Sequence, residues 1–318
     1  MRRKVVHSSA AVWLFALGLL GMEHTAAQQT PAAKERVVLV REAIVYISPD
    51  ATSAKLGQAE RGREGAVLDR SRQWIQVFIN TEQGRNITGW ILDKGLVRAA
   101  TPNGDRILFG EAVDSESEAQ RRRGRRNAAQ DAMRLYYRTY EYFPGSPLAG
   151  EALYRAADIK WQVDAADARS RPSAKDDPRY RPHIDDDLMR EVRKKFPNTR
   201  WHALAEFNLL ENKLCGDWEG KSKCPEKDTE VYEEYVKDFP QSPRAAEALY
   251  LAATRQAALI EIYKTENSPG KSQAAKAKGI ALAQRVLSQY PDSDWSPRAA
   301  RLVFLMEQGV PLYGNTLE

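Results

Sequence analysis

The chain has 318 residues, with 48 Lys and Arg against 43 Asp and Glu and a formal net charge of +5. Hydrophobic residues make up 42% and charged ones 29%, a balance that fits a soluble, folded chain. A charge so close to neutral at this length supplies no whole-protein field for nucleic acid, and no segment after the N-terminus is apolar enough to span a membrane.

The first 27 residues have the layout of a secretory signal peptide. Arg2, Arg3 and Lys4 precede an apolar core from Ala10 to Met22, and Thr25-Ala26-Ala27 offers small residues at the peptidase positions. The core is 13 residues long, short of the roughly 20 that a spanning helix needs. Cleavage after Ala27 is expected, so that the mature chain begins at Gln28; the alternative is an uncleaved N-terminal membrane helix. No Cys follows the apolar core, so no lipid anchor is expected. This leader carries three basic residues and one acid, which leaves 45 against 42 in the mature chain. The predicted location is periplasmic or otherwise exported.

Residues 36–99 read as short strands. Arg36–Arg41, Ile44–Ile47, Ala66–Leu68, Gln73–Asn80, Asn86–Leu92 and Leu96-Val97 are apolar or β-branched, and turn signals separate them: Pro49-Asp50, Gly57, Gly62, Gly65, Gly84, Gly89 and Gly95. Gln73–Asn80 alternates, with Trp74, Gln76 and Phe78 on one face and Ile75, Val77 and Ile79 on the other. Several such strands in about 60 residues predict a small all-β barrel. Gly62, Trp74 and Gly89-Trp90-Ile91 fall where the bacterial SH3-like domain places its glycine, its strand-opening Trp and its late Gly-Trp-hydrophobic segment. The region resembles that family, although Ile44-Val45-Tyr46 stands where an Asn-Val-Arg element is usual. The resemblance implies contact with cell-wall peptides or other proteins. Tyr46 and Trp90 are the candidate ligand contacts, with the barrel core as the other place for them.

From Thr101 the period becomes helical. Thr101-Pro102 reads as a cap and first-turn proline, and residues 100–124 as a linker or leading helix in which Gly124 marks a kink or break. Ala129, Met133, Tyr136, Tyr140 and Phe143 mark one helix face. The run Arg121–Arg126 (RRRGRR) reads as a solvated helix face, with pairs such as Glu118–Arg122 absorbing part of its charge; an anionic polymer or lipid headgroup is the alternative partner.

Residues 125–307 contain a repeat. FPGSPLAGEALY, beginning at Phe143, recurs as FPQSPRAAEALY from Phe239, with weaker copies KKFPNTRWHALAEF at 194–207 and SQYPDSDWSPRAARLVF at 288–304. The aromatic closes one helix on its buried face and Pro cannot continue it. Ser146 or Ser242 is then expected to cap the next helix, with Pro147 or Pro243 in its first turn. The aromatics Phe143, Phe196, Phe239 and Tyr290 lie 53, 43 and 51 residues apart, longer than the ~34 of an ordinary tetratricopeptide repeat. Insertions at Arg169–Pro182, Gly216–Pro225 and Glu266–Lys271 account for the extra length. The pattern resembles the tetratricopeptide-like repeats of BamD-type outer-membrane assembly lipoproteins, without their lipobox. That resemblance implies an all-α solenoid of helical hairpins, ending in a tail at 308–318.

Cys215 and Cys224 are nine residues apart in CGDWEGKSKC, and in an exported chain they are expected to form a disulfide. Of the mature chain's histidines only His183 and His202 remain, too few for a metal site, and no cofactor is expected. Gly216-x-x-x-Gly220-Lys221-Ser222 is one residue short of a phosphate loop and lacks a preceding strand. Asp185-Asp186-Asp187 reads as a helix cap, with a cation site as the alternative. No nucleophile elbow, HExxH or GxGxxG is present. The expected function is a non-enzymatic envelope scaffold whose repeats bind a protein or peptide segment. The barrel either adds a contact to protein or peptidoglycan, or caps the repeats. The other reading is a cell-wall hydrolase or its accessory subunit.

Overall fold

The computed structural model describes residues 35–81, 84–172, 177 and 181–314. The signal-peptide segment 1–27 and the expected start at Gln28 lie outside the described residues, as does half of the insertion at 169–182.

Seven strands form one antiparallel sheet, curled into a half-barrel: β1 (Arg36–Leu39), β2 (Ala43–Tyr46), β3 (Lys55–Ala59), β4 (Glu64–Ser71), β5 (Trp74–Asn80), β6 (Asn86–Leu92) and β7 (Leu96–Val97). Their order is β3-β2-β6-β5-β4-β1-β7. The alternation of β5 is realised: Ile75, Val77 and Ile79 are fully buried, whereas Phe78 is 43% exposed. They join Val37, Leu39, Val45, Ala59 and Ile91 in the core of the sheet.

β3 is not among the strands expected from the sequence, where Gly57 reads as a turn. Gly57, Gly65 and Gly89 instead lie inside strands. At Gly89 the reason is close approach: a Cβ there would stand 2.6 Å from the Tyr46 carbonyl oxygen and 2.6 Å from Val45 Cγ1. The curl of the sheet therefore brings the β2 backbone against β6 where a side chain would block it.

After Arg36 the run Val37–Val40 is unbroken and apolar because it is buried on both faces. Val37 and Leu39 point into the sheet core. Val38 and Val40, with Val97 of β7, pack on Leu108, Ala112, Leu135 and Tyr136 of the helices. The polar rim of this joint is also specific. Tyr142 donates to Glu64 at 2.6 Å, Arg134 Nε donates to the Arg61 carbonyl at 3.0 Å, and Arg41 pairs with Glu111 at 2.9 Å.

Nine α-helices occur among the described residues: α1 (Gly104–Gln120), α2 (Ala128–Tyr142), α3 (Ala149–Ser170), α4 (Asp187–Lys195), α5 (Arg200–Leu210), α6 (Lys223–Asp238), α7 (Ala245–Thr265), α8 (Pro269–Gln289) and α9 (Ser296–Glu307). Successive helices pack in pairs, most extensively α1 on α2, α2 on α3, α6 on α7 and α7 on α8. The Thr101-Pro102 cap is not used. Asn103 in left-handed backbone precedes α1, and Thr101 Oγ1 accepts from the Arg98 N–H at 2.8 Å. Residues 121–127 join α1 to α2 outside either helix. Gly124 is obligatory in this join, since a Cβ would lie 1.9 Å from the Glu118 carbonyl oxygen.

The repeated aromatic turns are built alike. Phe143, Phe196, Phe239 and Tyr290 end α2, α4, α6 and α8 with φ between −126° and −134° and ψ between 53° and 58°. A following proline disfavours helical backbone at the preceding residue, which stops all four helices at the same place. Ser146 and Ser242 stand two residues before the N-cap positions Leu148 and Arg244. Their hydroxyls accept from Leu148 and Arg244 N–H, each at 3.1 Å, and their carbonyls receive Ala149 and Ala245 N–H at 3.0 Å. Thr199 is a side-chain cap, accepting from His202 N–H at 3.3 Å. The insertion at Glu266–Lys271 is shorter than it looked, because α8 begins at Pro269.

Candidate functional site

Two surfaces collect chemistry. The first is the outer face of the sheet. Tyr46 of β2 and Trp90 of β6 are directly opposed in register, so the two candidate contacts are neighbours. Both are half-buried and neither belongs to the sheet core. The Tyr46 ring stands edge-on to Trp74, with centroids 5.5 Å apart. Gln76 lies opposite Trp90, Leu92 opposite Trp74, and Thr88 opposite Phe78. Phe78 and Leu92 are 43% and 42% exposed, so this face keeps apolar surface in water beside the aromatic pair.

The second surface is a groove of about 400 Å³ across α3, α5, α6 and the start of α7. The repeat turns set its walls by stopping each helix and starting the next. Trp161, Phe207 and Tyr232 give it aromatic walls, and Asp158, Asn208 and Arg244 give it polar groups. The Arg244 guanidinium lies 4.1 Å from the centre of the Phe207 ring and donates to Glu247 at 2.8 Å. Asp158 accepts from Asn208 at 2.9 Å and from Gln162 at 2.7 Å. Glu211 accepts from Trp161 Nε1 at 3.3 Å and from Arg181 at 3.0 Å, and it also pairs with Arg169. Burial opposes ionisation of Glu211, yet Arg169 and Arg181 hold its carboxyl below the usual range. Of these groove residues, Phe207 and Arg244 lie within the repeat copies at 194–207 and 239–250; Asp158, Trp161, Glu211 and Tyr232 come from other stretches that only packing brings together.

The two cysteines form a disulfide with Cα atoms 5.9 Å apart. Its loop ties several elements together. Arg181 donates to the Cys215 carbonyl at 3.1 Å, the Cys215 N–H to Asp228 at 3.3 Å, and the Ser222 N–H to Glu266 at 3.0 Å. Trp218 packs on Tyr313 of the C-terminal stretch, with ring centroids 5.6 Å apart. Beneath the loop Asp228 is almost fully buried, and burial raises its carboxyl pKa. Arg255 stands 3.7 Å from it and lies over Tyr232 and Trp218.

The acidic triplet is consumed structurally. Asp185 pairs with Lys160 at 2.8 Å and accepts from the Asp187 N–H at 3.0 Å, so both hold its carboxyl below the usual range. Asp186 pairs with Arg190 at 2.8 Å. His202 packs edge-on against Phe239, with centroids 5.3 Å apart.

Comparison of the chain with protein-family models and with curated proteins finds no match. Among the described residues no helix is long and apolar enough to cross a membrane.

Proposed function

We propose that this protein is an exported scaffold or adaptor of the cell envelope, and that the groove between α3 and α7 takes an extended or helical segment of a protein partner. The observation that carries this reading is the groove itself. Half-buried Phe207, backed by the nearly buried Trp161 and Tyr232, gives it an apolar wall, and its polar groups are tied up as Arg181–Glu211, Arg244–Glu247 and Asp158–Asn208. Groups fixed in this way orient a bound chain rather than exchange protons with it. Four helix ends of one geometry support reading the helices as tetratricopeptide-like hairpins, whose stacked surfaces bind extended partners. The disulfide agrees with an oxidising exported compartment.

The sheet is read as an SH3-like half-barrel that caps the first helices through β1 and β7, while its outer face around Tyr46 and Trp90 offers a second contact to protein or peptidoglycan. The test is crosslinking and capture of the tagged protein from intact cells. Gln162→Arg fills the groove from an exposed position. It should abolish capture of the principal partner with the fold unchanged, while Trp90→Ala should leave that partner in place and reduce retention on purified wall. Undiminished capture by Gln162→Arg would overturn the groove assignment. Peptidoglycan cleavage by the purified protein, lost on substitution of a single Glu or Asp without unfolding, would establish the hydrolase reading instead.

A further inference from the structure

The six-residue basic run does not form a helix face. Residues 121–127 are the join between α1 and α2, and Arg121, Arg122, Arg123 and Arg126 are exposed there. The expected Glu118–Arg122 pair is not made. Glu118 pairs with Arg121 at 2.8 Å and accepts from the Arg125 N–H at 3.1 Å. Asp131, nearly fully buried, holds both Arg125 and Arg134, and Glu42 of the sheet stands 3.7 Å from Arg125. The acids at the base of the join are therefore spent on its frame. Among the described residues no carboxylate pairs with Arg122, Arg123 or Arg126. Most arginines around the sheet-helix joint, by contrast, meet a carboxylate: Arg36, Arg41, Arg63 and Arg138 all do.

The surroundings extend this charge. Arg85, exposed at the turn before β6, lines one cleft of about 450 Å³ with Asn127 at the end of the join. The acids of that cleft have partners, Glu42 accepting from Gln58 of the same cleft at 2.6 Å and Glu60 pairing with Arg63 at 3.0 Å. The join itself is held at both ends by hydrogen bonds, Gly124 N–H to the Arg121 carbonyl at 3.0 Å and Ala128 N–H to the Arg125 carbonyl at 3.2 Å. Three arginines thus stand exposed on a short, fixed loop with no carboxylate partner among the described residues.

We infer that the α1–α2 join is a docking site for an anionic phospholipid surface. Guanidinium groups match phosphate oxygens in bidentate geometry. A plane of headgroups meets all three side chains of one short loop at once, whereas a linear polyanion is gripped by cations arranged along a track. Local basic clusters bind anionic leaflets even in proteins of near-neutral total charge, because the surface potential is felt only within a Debye length.

The experiment is vesicle partitioning of the full chain, with phosphatidylglycerol–phosphatidylcholine vesicles against phosphatidylcholine alone. The readout is the preference for the anionic vesicles, so that the N-terminal apolar segment, common to every variant, cancels. The triple variant Arg122→Gln, Arg123→Gln, Arg126→Gln should lower that preference on the order of a hundredfold at low salt. Its melting temperature and helix content should be unchanged. A control, Lys94→Gln, Arg285→Gln, Arg301→Gln, removes equal charge from exposed positions elsewhere and should change the preference far less. An equal loss in both triple variants would reduce the effect to net charge and overturn the proposal. So would an undiminished preference in the loop variant. Binding to soluble polyphosphate with no preference for anionic vesicles would assign the loop to a polymer and overturn the lipid assignment.

Discussion

Leu108→Ala tests the joint between sheet and helices. Leu108 is fully buried and packs in one cluster with Val38 and Val97 of the sheet and with Ala112, Leu135 and Tyr136 of α1 and α2. Core Leu→Ala substitutions cost about 2–5 kcal/mol, depending on how far the site collapses. Here collapse is restricted on one side by the ladder that holds β1 between β4 and β7. A loss of about 3–4 kcal/mol is expected, above the lower end of that range. In a chain of this size it corresponds to a melting shift of about 6–12 °C. The assay is calorimetric and denaturant unfolding of the full chain. A single transition should move as a whole, because sheet and helices share the cluster. Leu68→Ala, on an exposed position of β4, is the control and should cost less than about 0.5 kcal/mol. Two separate transitions, of which Leu108→Ala moves one, would refute the shared core. So would a loss below about 1 kcal/mol.

Asp228 sets a pH dependence of unusual sign. Its pKa is raised by burial, so the folded state holds the proton more tightly than the unfolded state does. Its contribution is then fully present below the ordinary carboxylate pKa of about 3.9 and is lost as pH rises through the folded value. Asp228→Asn should therefore gain stability relative to the wild type between about pH 4 and pH 7 in urea melts, and the opposite trend would refute the assignment. The double variant Cys215→Ala, Cys224→Ala should lose about 2–3 kcal/mol, the amount expected for closing a ring this short. Its Tyr313 environment, read by near-ultraviolet circular dichroism, should change with it. Phe239→Ala should cost about 1.5–2.5 kcal/mol rather than the 3–5 kcal/mol of a fully buried ring, because Phe239 is half-buried at the end of α6. Its packing against Tyr235 and His202, each with centroids 5.3 Å away, should be lost in nuclear magnetic resonance shifts of His202.

Much of the local structure was decided by the chain itself. The alternation in 74–80 set which face of β5 is buried, since side chains of a strand alternate strictly. The four aromatic-proline pairs set where helices stop, since proline restricts the residue before it whatever lies around. Cys215 and Cys224 stand close enough in sequence for a short loop to bring their side chains together. Other features depended on partners distant in sequence. Gly57 sits in a strand because the curled sheet brings Ile87 against it, and nothing in the neighbourhood of Gly57 signals Ile87. The unbroken run Val37–Val40 was apolar on both faces for a reason supplied by α1 and α2. Arg122 was free to face water because Glu118, one turn away, was claimed by Arg121 and by the backbone of Arg125. The groove assembled Trp161, Phe207, Tyr232 and Arg244 from four stretches of chain. Periodicity and turn chemistry are short-range and can be read residue by residue. Burial on a second face, competition for an ion partner and the convergence of side chains are properties of packing, and only the tertiary structure decided them.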